Sequence, residues 1–288
     1  MQNNVYSVLN CAKEFLRSIK IDDYKASAEE LLSAVLKIKR SKLAAVREQK
    51  LTEKEISLFN LYIQRRAKRE PAAYILGSCG FMGFEFIVNE NVLIPRTETE
   101  LLTEEVLRAC SFEKERNAFC GGLTVLDLCA GCGCIAVSLS KLGGFKAIYA
   151  LDISLKALEI AEKNAKINEA ENIIFLQSDI FHSVKDKKFD IIVSNPPYVS
   201  ESEYAALEPE LKYEPQIALM TGEDGLFFYR RIARQAGAYL NGGGQIFLEL
   251  NANKAEEIKD IFSRSGFKNI KIIKDYSDLP RILTAGIS

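Results

Sequence analysis

The run Phe189-Asp190-Ile191-Ile192-Val193-Ser194 stops abruptly at Asn195-Pro196-Pro197-Tyr198. Ile191 to Val193 has the length and apolarity of a strand buried on both faces. Two successive prolines then withhold backbone donors and bias each preceding residue toward extended geometry. A strand entering such a turn fixes the Asn195 side chain and the Pro196 carbonyl at its carboxyl end, the edge where open α/β sheets bind ligands. Asn195 offers an amide, Pro196 and Pro197 a rigid backbone with carbonyl acceptors, and Tyr198 an aromatic wall. Such a set holds a planar NH2 group by its hydrogens, or serves only as the turn after a core strand.

The rest of the chain decides between these. From about residue 99 strand and helix patterns alternate: strands at 124–130, 147–152, 173–177, 189–194, 245–250, 270–274 and 281–285, helices at 131–142, 154–168, 225–238 and 255–265. This predicts an α/β fold, a doubly wound, mostly parallel seven-stranded Rossmann-like sheet closed by a late hairpin. The closing hairpin argues against an α/β barrel. Residues 1–76 hold no glycine, and Pro71 is their only proline. Val5, Leu9, Phe15, Leu16 and Ile19 recur at near-helical spacing, and Ser27 with Glu30 and Thr52 with Glu55 read as capping boxes. A small N-terminal helical bundle domain is expected, then a β-hairpin linker over 77–98 and a catalytic domain over 99–288. Thr97 with Glu100 reads as a further capping box. Arg96, just before it, either anchors a substrate or pairs with Glu98 or Glu100.

Composition narrows the function. The formal net charge of −1 supplies no broad basic field, so stable nucleic acid binding is not expected. No apolar run has membrane-spanning length and the N-terminus lacks a leader pattern, so a cytoplasmic protein with no membrane partner is expected. Seven cysteines, several in apolar surroundings, are not a disulfide framework. Cys129, Cys132 and Cys134 lack a fourth ligand in sequence, and the single histidine, His182, is remote. They read as small residues in a tight turn, with no metal expected.

Val125 to Cys134 is a strand entering a glycine turn at Gly131 and Gly133, with Asp127, Cys129, Ala130 and Cys132 around it. Glycines allow tight bends and close ligand approach, but the spacing is not the dinucleotide G-x-G-x-x-G. Asp152 stands 19 residues beyond Gly133 at the end of the second strand, where a carboxylate accepts ribose hydroxyls or caps the next helix. Asp179 with Ile180, after the third strand, is placed to hold an adenine edge and face.

Glycine turn, ribose acid, adenine-side acid and Asn-Pro-Pro-Tyr, in that order on successive strand ends, resemble S-adenosyl-L-methionine-dependent amino-methyltransferases. With Glu70-Pro71-Ala72-Ala73-Tyr74-Ile75-Leu76-Gly77, Phe81-Met82-Gly83, Ile94-Pro95-Arg96-Thr97-Glu98-Thr99-Glu100, Tyr213-Glu214-Pro215 and Gly222-Glu223-Asp224-Gly225-Leu226, the chain is similar to the release factor glutamine methyltransferase family over nearly its whole length. The resemblance implies methyl transfer to the glutamine of the Gly-Gly-Gln loop of class I peptide chain release factors, with residues 1–76 as the recognition module. It further implies catalysis by Asn195, Pro196 and Tyr198, substrate contacts from these with Pro197 and Arg96, and a cofactor held by Asp127, Cys129, Ala130, Gly131, Cys132, Gly133, Asp152, Asp179, Ile180 and Asn195. A DNA or RNA amino-methyltransferase and a non-catalytic adaptor are the competing classes. The chain departs from the family pattern at Cys129, Ala130, Cys132, Thr97 and Asn251. A cysteine at 129 is strained if the turn needs positive φ there.

Overall fold

Among the described residues, the N-terminal part of the chain carries the α-helices α1 (Val5–Ser18), α2 (Tyr24–Leu36), α3 (Glu53–Ala67) and α4 (Ala72–Leu76). The computed structural model describes residues 3–115 and 122–287. Val5, Leu9, Ala12 and Leu16 bury one stripe of α1, and the Asn4 side chain caps it by accepting from Ser7 N at 2.9 Å. Phe15, expected on that stripe, falls outside it and is exposed. Thr52 and Glu55 form the expected capping box of α3. The box expected at Ser27 does not form, because α2 starts at Tyr24 and Ser27 lies inside it. Its hydroxyl serves a different need. Arg66 is 3% exposed, donates Nε to Ser27 Oγ at 3.0 Å, and pairs with Asp23 at 2.6 Å and with Glu210 at 3.0 Å. A buried guanidinium requires such satisfaction. Glu210 belongs to this unit: the chain divides into Met1–Ser78 with Glu208–Tyr213, and Cys79–Leu207 with Glu214–Ser288.

The second unit takes up the chain inside a hairpin, β1 (Ser78–Phe81) and β2 (Phe84–Ile87), followed by helix α5 (Thr97–Glu115). Thr97 is inside α5, and Glu100 accepts from Met82 N at 2.6 Å, so the expected Thr97–Glu100 box is replaced by a tie to the hairpin turn. Alternating elements follow: β3 (Thr124–Leu128), α6 (Cys134–Gly143), β4 (Ala147–Asp152), α7 (Leu155–Ile167), β5 (Ile173–Gln177), β6 (Phe189–Ser194), α8 (Glu201–Ala205), α9 (Gln216–Leu219), α10 (Phe227–Tyr239), β7 (Leu240–Glu249), α11 (Ala255–Arg264), β8 (Lys268–Lys274) and β9 (Pro280–Gly286). The sheet order is β5-β4-β3-β6-β7-β9-β8, with β9 antiparallel to both neighbours and the other pairings parallel. The doubly wound sheet read from the sequence is present. The chain winds outward from β3 through β4 to β5, then returns to begin β6 on the other side of β3. That reversal opens a crevice at the carboxyl ends of β3 and β6.

Core strands β3 and β6 are almost wholly buried, as their unbroken apolar runs require. Gly133 lies at the start of α6 with φ +80°, and a Cβ there would stand 2.9 Å from Ala161 Cβ in α7. Only glycine serves both the turn and this close helix approach. Asn164, also in α7 and fully buried, donates to the carbonyls of Cys132 and Ile87 and accepts from Ile87 N. It thereby ties the hairpin to the glycine turn.

Candidate functional site

Four strand ends converge on one cleft: Cys129 and Gly131 after β3, Asp152 closing β4, Ser178, Asp179 and Ile180 after β5, and Asn195 with Pro197 after β6. The walls are completed by Asn91 to Leu93 from the connector and by Pro215, Ile217, Ala218 and Phe228. Of the residues singled out in the sequence, Cys129, Gly131, Asp152, Asp179, Ile180, Asn195 and Pro197 line it. Asp127, Ala130, Cys132, Gly133, Pro196, Tyr198 and Arg96 do not.

Asp152 accepts from Gly131 N through one carboxylate oxygen and from Ser154 N through the other, at 2.8 and 2.9 Å. Turn tie and helix cap are thus one residue. A carboxylate has about four acceptor positions, more than these backbone donors occupy, so acceptor capacity remains for a hydroxyl in the cleft. Burial pushes its carboxyl above the usual range, and the backbone donors of Ser154, Gly131 and Ile153 oppose this. Cys129 has φ 60°, the strained condition anticipated for a cysteine in this turn, and Ile180 has φ 53°. For a β-branched residue that is a costly conformation, held here by Ser178, whose hydroxyl donates to Ile180 O at 2.8 Å and accepts from Ser183 N at 3.0 Å. Asp179 is exposed, and bidentate bonds from Arg231 at 2.9 and 2.8 Å hold its carboxyl below the usual range.

Asp127 is fully buried, and burial, opposed by the Ala136 N–H, pushes its carboxyl well above the usual range. It lies within β3, below the turn, and does not line the cleft. Arg96 pairs with neither Glu98 nor Glu100. It bonds the buried carboxylate of Glu214, whose other oxygen accepts from Ile94 N at 2.9 Å. The expected substrate anchor is therefore engaged within the protein. Pro196 is buried, and the Tyr198 hydroxyl donates to Glu249 at 3.2 Å. Gly225, with φ +72°, brings its Cα so near that a Cβ would lie 2.6 Å from Tyr198 O, which fixes the Asn-Pro-Pro-Tyr turn from outside.

Residues 7–77 match the PrmC N-terminal domain family and residues 112–211 the methyltransferase small domain family. The chain is 40% identical over 257 residues to the release factor glutamine methyltransferase of Thermodesulfovibrio yellowstonii, covering 89% of this chain and 90% of that one. The chain belongs to the release factor glutamine methyltransferase family. The Geobacter sulfurreducens member is 36% identical over 280 residues, 97% of this chain and 95% of its own. Among solved structures, the T. thermophilus 16S rRNA N2 G1207 methyltransferase, in complex with AdoMet and guanosine, shares the fold at TM-score 0.51 and 20% identity, covering 73% of this chain and 50% of that one. This family member is an enzyme, a methyltransferase dependent on S-adenosylmethionine. The cleft suits that group: a carboxylate with spare acceptor positions, a glycine turn without side-chain bulk, and apolar walls at Ile180, Leu151 and Phe228. Among the described residues no helix is long and apolar enough to cross a membrane.

The residues that sequence reasoning passed over are those that position rather than line. Glu214 in Tyr-Glu-Pro and Thr99 in the Ile94–Glu100 stretch stood within motifs without an assigned partner, and Glu249 carried no visible signal. Their partners lie 120, 96 and 51 residues away in sequence.

Proposed function

We propose that this enzyme methylates the side-chain amide of the glutamine in the Gly-Gly-Gln loop of class I peptide chain release factors. The observation that carries this reading is Asn195 at the end of β6, lining the same cleft as Asp152 and Asp179 with its Nδ2 already committed to Thr99. Its Oδ1 is then the free end, an acceptor for one hydrogen of a planar NH2 group. The resemblance gives the other hydrogen to the Pro196 backbone carbonyl and the amide plane to Tyr198, which alternate in the same turn with the cleft-lining Asn195 and Pro197. The helical unit serves as the recognition module.

S-adenosylmethionine, held by Gly131, Asp152, Asp179 and Ile180, supplies an electrophilic methyl group when bound. An amide nitrogen is a weak nucleophile because its lone pair is delocalised. As that lone pair becomes engaged, positive charge grows on nitrogen and its hydrogens become better donors. Acceptors fixed at Asn195 and Pro196 therefore gain strength in the transition state rather than in the ground state. The carboxylates around the cleft are engaged, Asp152 with backbone donors and Asp179 with Arg231, so the amide proton leaves to water once nitrogen is cationic. Orientation carries much of the rate.

Mass spectrometry of a purified class I release factor incubated with the enzyme and S-adenosylmethionine tests this reading. One methyl on the Gly-Gly-Gln glutamine is expected. Asn195→Ala should lower turnover by about 10²–10³-fold, the usual effect of losing one fixed transition-state partner, with cofactor affinity changed less than threefold. Absence of the methyl, or its appearance on nucleic acid, overturns the acceptor assignment. Equal loss of turnover and cofactor binding overturns the role of Asn195.

A further inference from the structure

The register of β6 and β7 pairs Ser194 with Leu248, so Asn195 and Glu249 follow side by side at the carboxyl edge. Between them comes Thr99, from the first turn of α5. Asn195 Nδ2 donates to Thr99 Oγ1 at 3.1 Å, and Thr99 Oγ1 donates to Glu249 Oε2 at 2.6 Å. The other carboxylate oxygen of Glu249 accepts from the Tyr198 hydroxyl at 3.2 Å. The Glu249 backbone is fixed as well, its carbonyl accepting from Tyr229 OH at 2.9 Å. Thr99 and Glu249 are 3% and 1% exposed.

This chain of bonds has a direction. A hydroxyl carries one proton. Burial raises the Glu249 carboxyl, against the hydrogen bonds from Thr99 and Tyr198 and the Arg281 charge. In its ionised form it has no proton to return, so Thr99 donates to it and toward Asn195 can only accept. It receives the Asn195 NH2 group and repels Oδ1. An asparagine free to turn over would present nitrogen and oxygen interchangeably, and the nitrogen would meet the acceptor's own N–H bonds head-on. The same carboxylate holds the Tyr198 hydroxyl, so one buried group sets both side chains of the turn. Such a network fixes conformation only while every member is satisfied.

We infer that Thr99 and Glu249 are positioning residues that dictate which end of the Asn195 amide faces the acceptor, and so make the site select a planar NH2 group over an oxygen in the same place. The inference rests on the glutamine-methylation reading for its consequence, and on the Thr99 contacts alone for its geometry.

Two measurements separate these. In the first, Thr99→Val keeps the shape and removes the hydroxyl, and Thr99→Ser restores it. With a release factor as acceptor, Thr99→Val should lower kcat by about 10–100-fold, the scale of a small misplacement, with the Kd for S-adenosylmethionine unchanged within twofold. Thr99→Ser should recover turnover to within fivefold of wild type, and Thr99→Val should cost little more once Asn195 is already alanine. A Thr99→Ser variant as impaired as Thr99→Val, or additive losses in the double variant, would overturn the positioning role. In the second, the Asn195 amide signals are identified by NMR as those missing in Asn195→Ala, and their hydrogen exchange is followed without any acceptor. Exchange at least tenfold faster in Thr99→Val than in wild type is expected; equal exchange overturns the hydrogen-bond polarity. If wild type transfers no methyl to a release factor, the acceptor reading fails while the exchange result still decides the geometry.

Discussion

Replacing Gly133 with alanine tests how tightly the turn between β3 and α6 is built. The added Cβ would lie 2.9 Å from Ala161 Cβ and 3.3 Å from its Cα, in a residue at φ +80°. Left-handed backbone costs a residue with a side chain about 1–2 kcal/mol. The stiffer unfolded chain returns about 0.4–1 kcal/mol, and overpacking between two helices adds about 1–3 kcal/mol. The net destabilisation centres on about 3 kcal/mol, worth about 6–12 °C in Tm for a unit of this size. The relevant unfolding transition is the one S-adenosylmethionine raises, since a ligand stabilises the unit that binds it. Ala161→Gly alone should cost about 1 kcal/mol as a helix-interior glycine. Combined with Gly133→Ala it removes the clash but not the φ penalty, so the pair should be more stable than the sum of single losses by about 1–2 kcal/mol. Strict additivity in urea unfolding would show that α6 and α7 do not meet at Gly133, and would refute the packing argument.

Two further outcomes follow from charges described above. Arg66→Met removes the cation from half-exposed Asp23 and the donor from Ser27, while Glu210 keeps Arg69, and should destabilise the helical unit by about 1–3 kcal/mol, the cost of losing charge-assisted hydrogen bonds; circular dichroism melting that shifts by less than 2 °C would contradict this. Burial raises the Asp152 carboxyl while the backbone donors of Ser154, Gly131 and Ile153 oppose it, so its charged form gives way on acidification at higher pH than an ordinary carboxylate. Calorimetric affinity for S-adenosylmethionine should therefore weaken with falling pH before ordinary carboxylates titrate, and Asp152→Asn should bind weakly with that pH dependence abolished.

The sheet was legible because its strands are short apolar runs bounded by turn residues, a local signal. Strand ends were legible for the same reason, and their order places Cys129, Asp152, Asp179 and Asn195 at one edge. What stayed hidden were side chains whose partners are remote. Ser27 and Thr97 both satisfy the capping-box spacing, yet a buried arginine claimed the first, and Glu100, needed by the second, turned to Met82 N. Arg96 stood between two nearby acids and bonded a third, Glu214, far along the chain. Local pattern ranks neighbours, whereas burial rewards whichever partner completes the hydrogen bonds. The positive φ at Ile180 was invisible for a related reason: Ser178 makes a disfavoured backbone tolerable, and nothing in the composition of the segment announces it.

The assignment of Glu208–Tyr213 to the helical unit means that this protein is not two modules in series. Its chain crosses between units three times, after Ser78, after Leu207 and after Tyr213. A recombination that exchanges only the first 78 residues for those of a relative would set a foreign partner opposite resident Glu210, and a viable hybrid must carry the six-residue insert along with the helices. Among family members, changes at the positions of Arg66, Arg69 and Glu210 are therefore expected to travel together, as one inherited unit split across the gene.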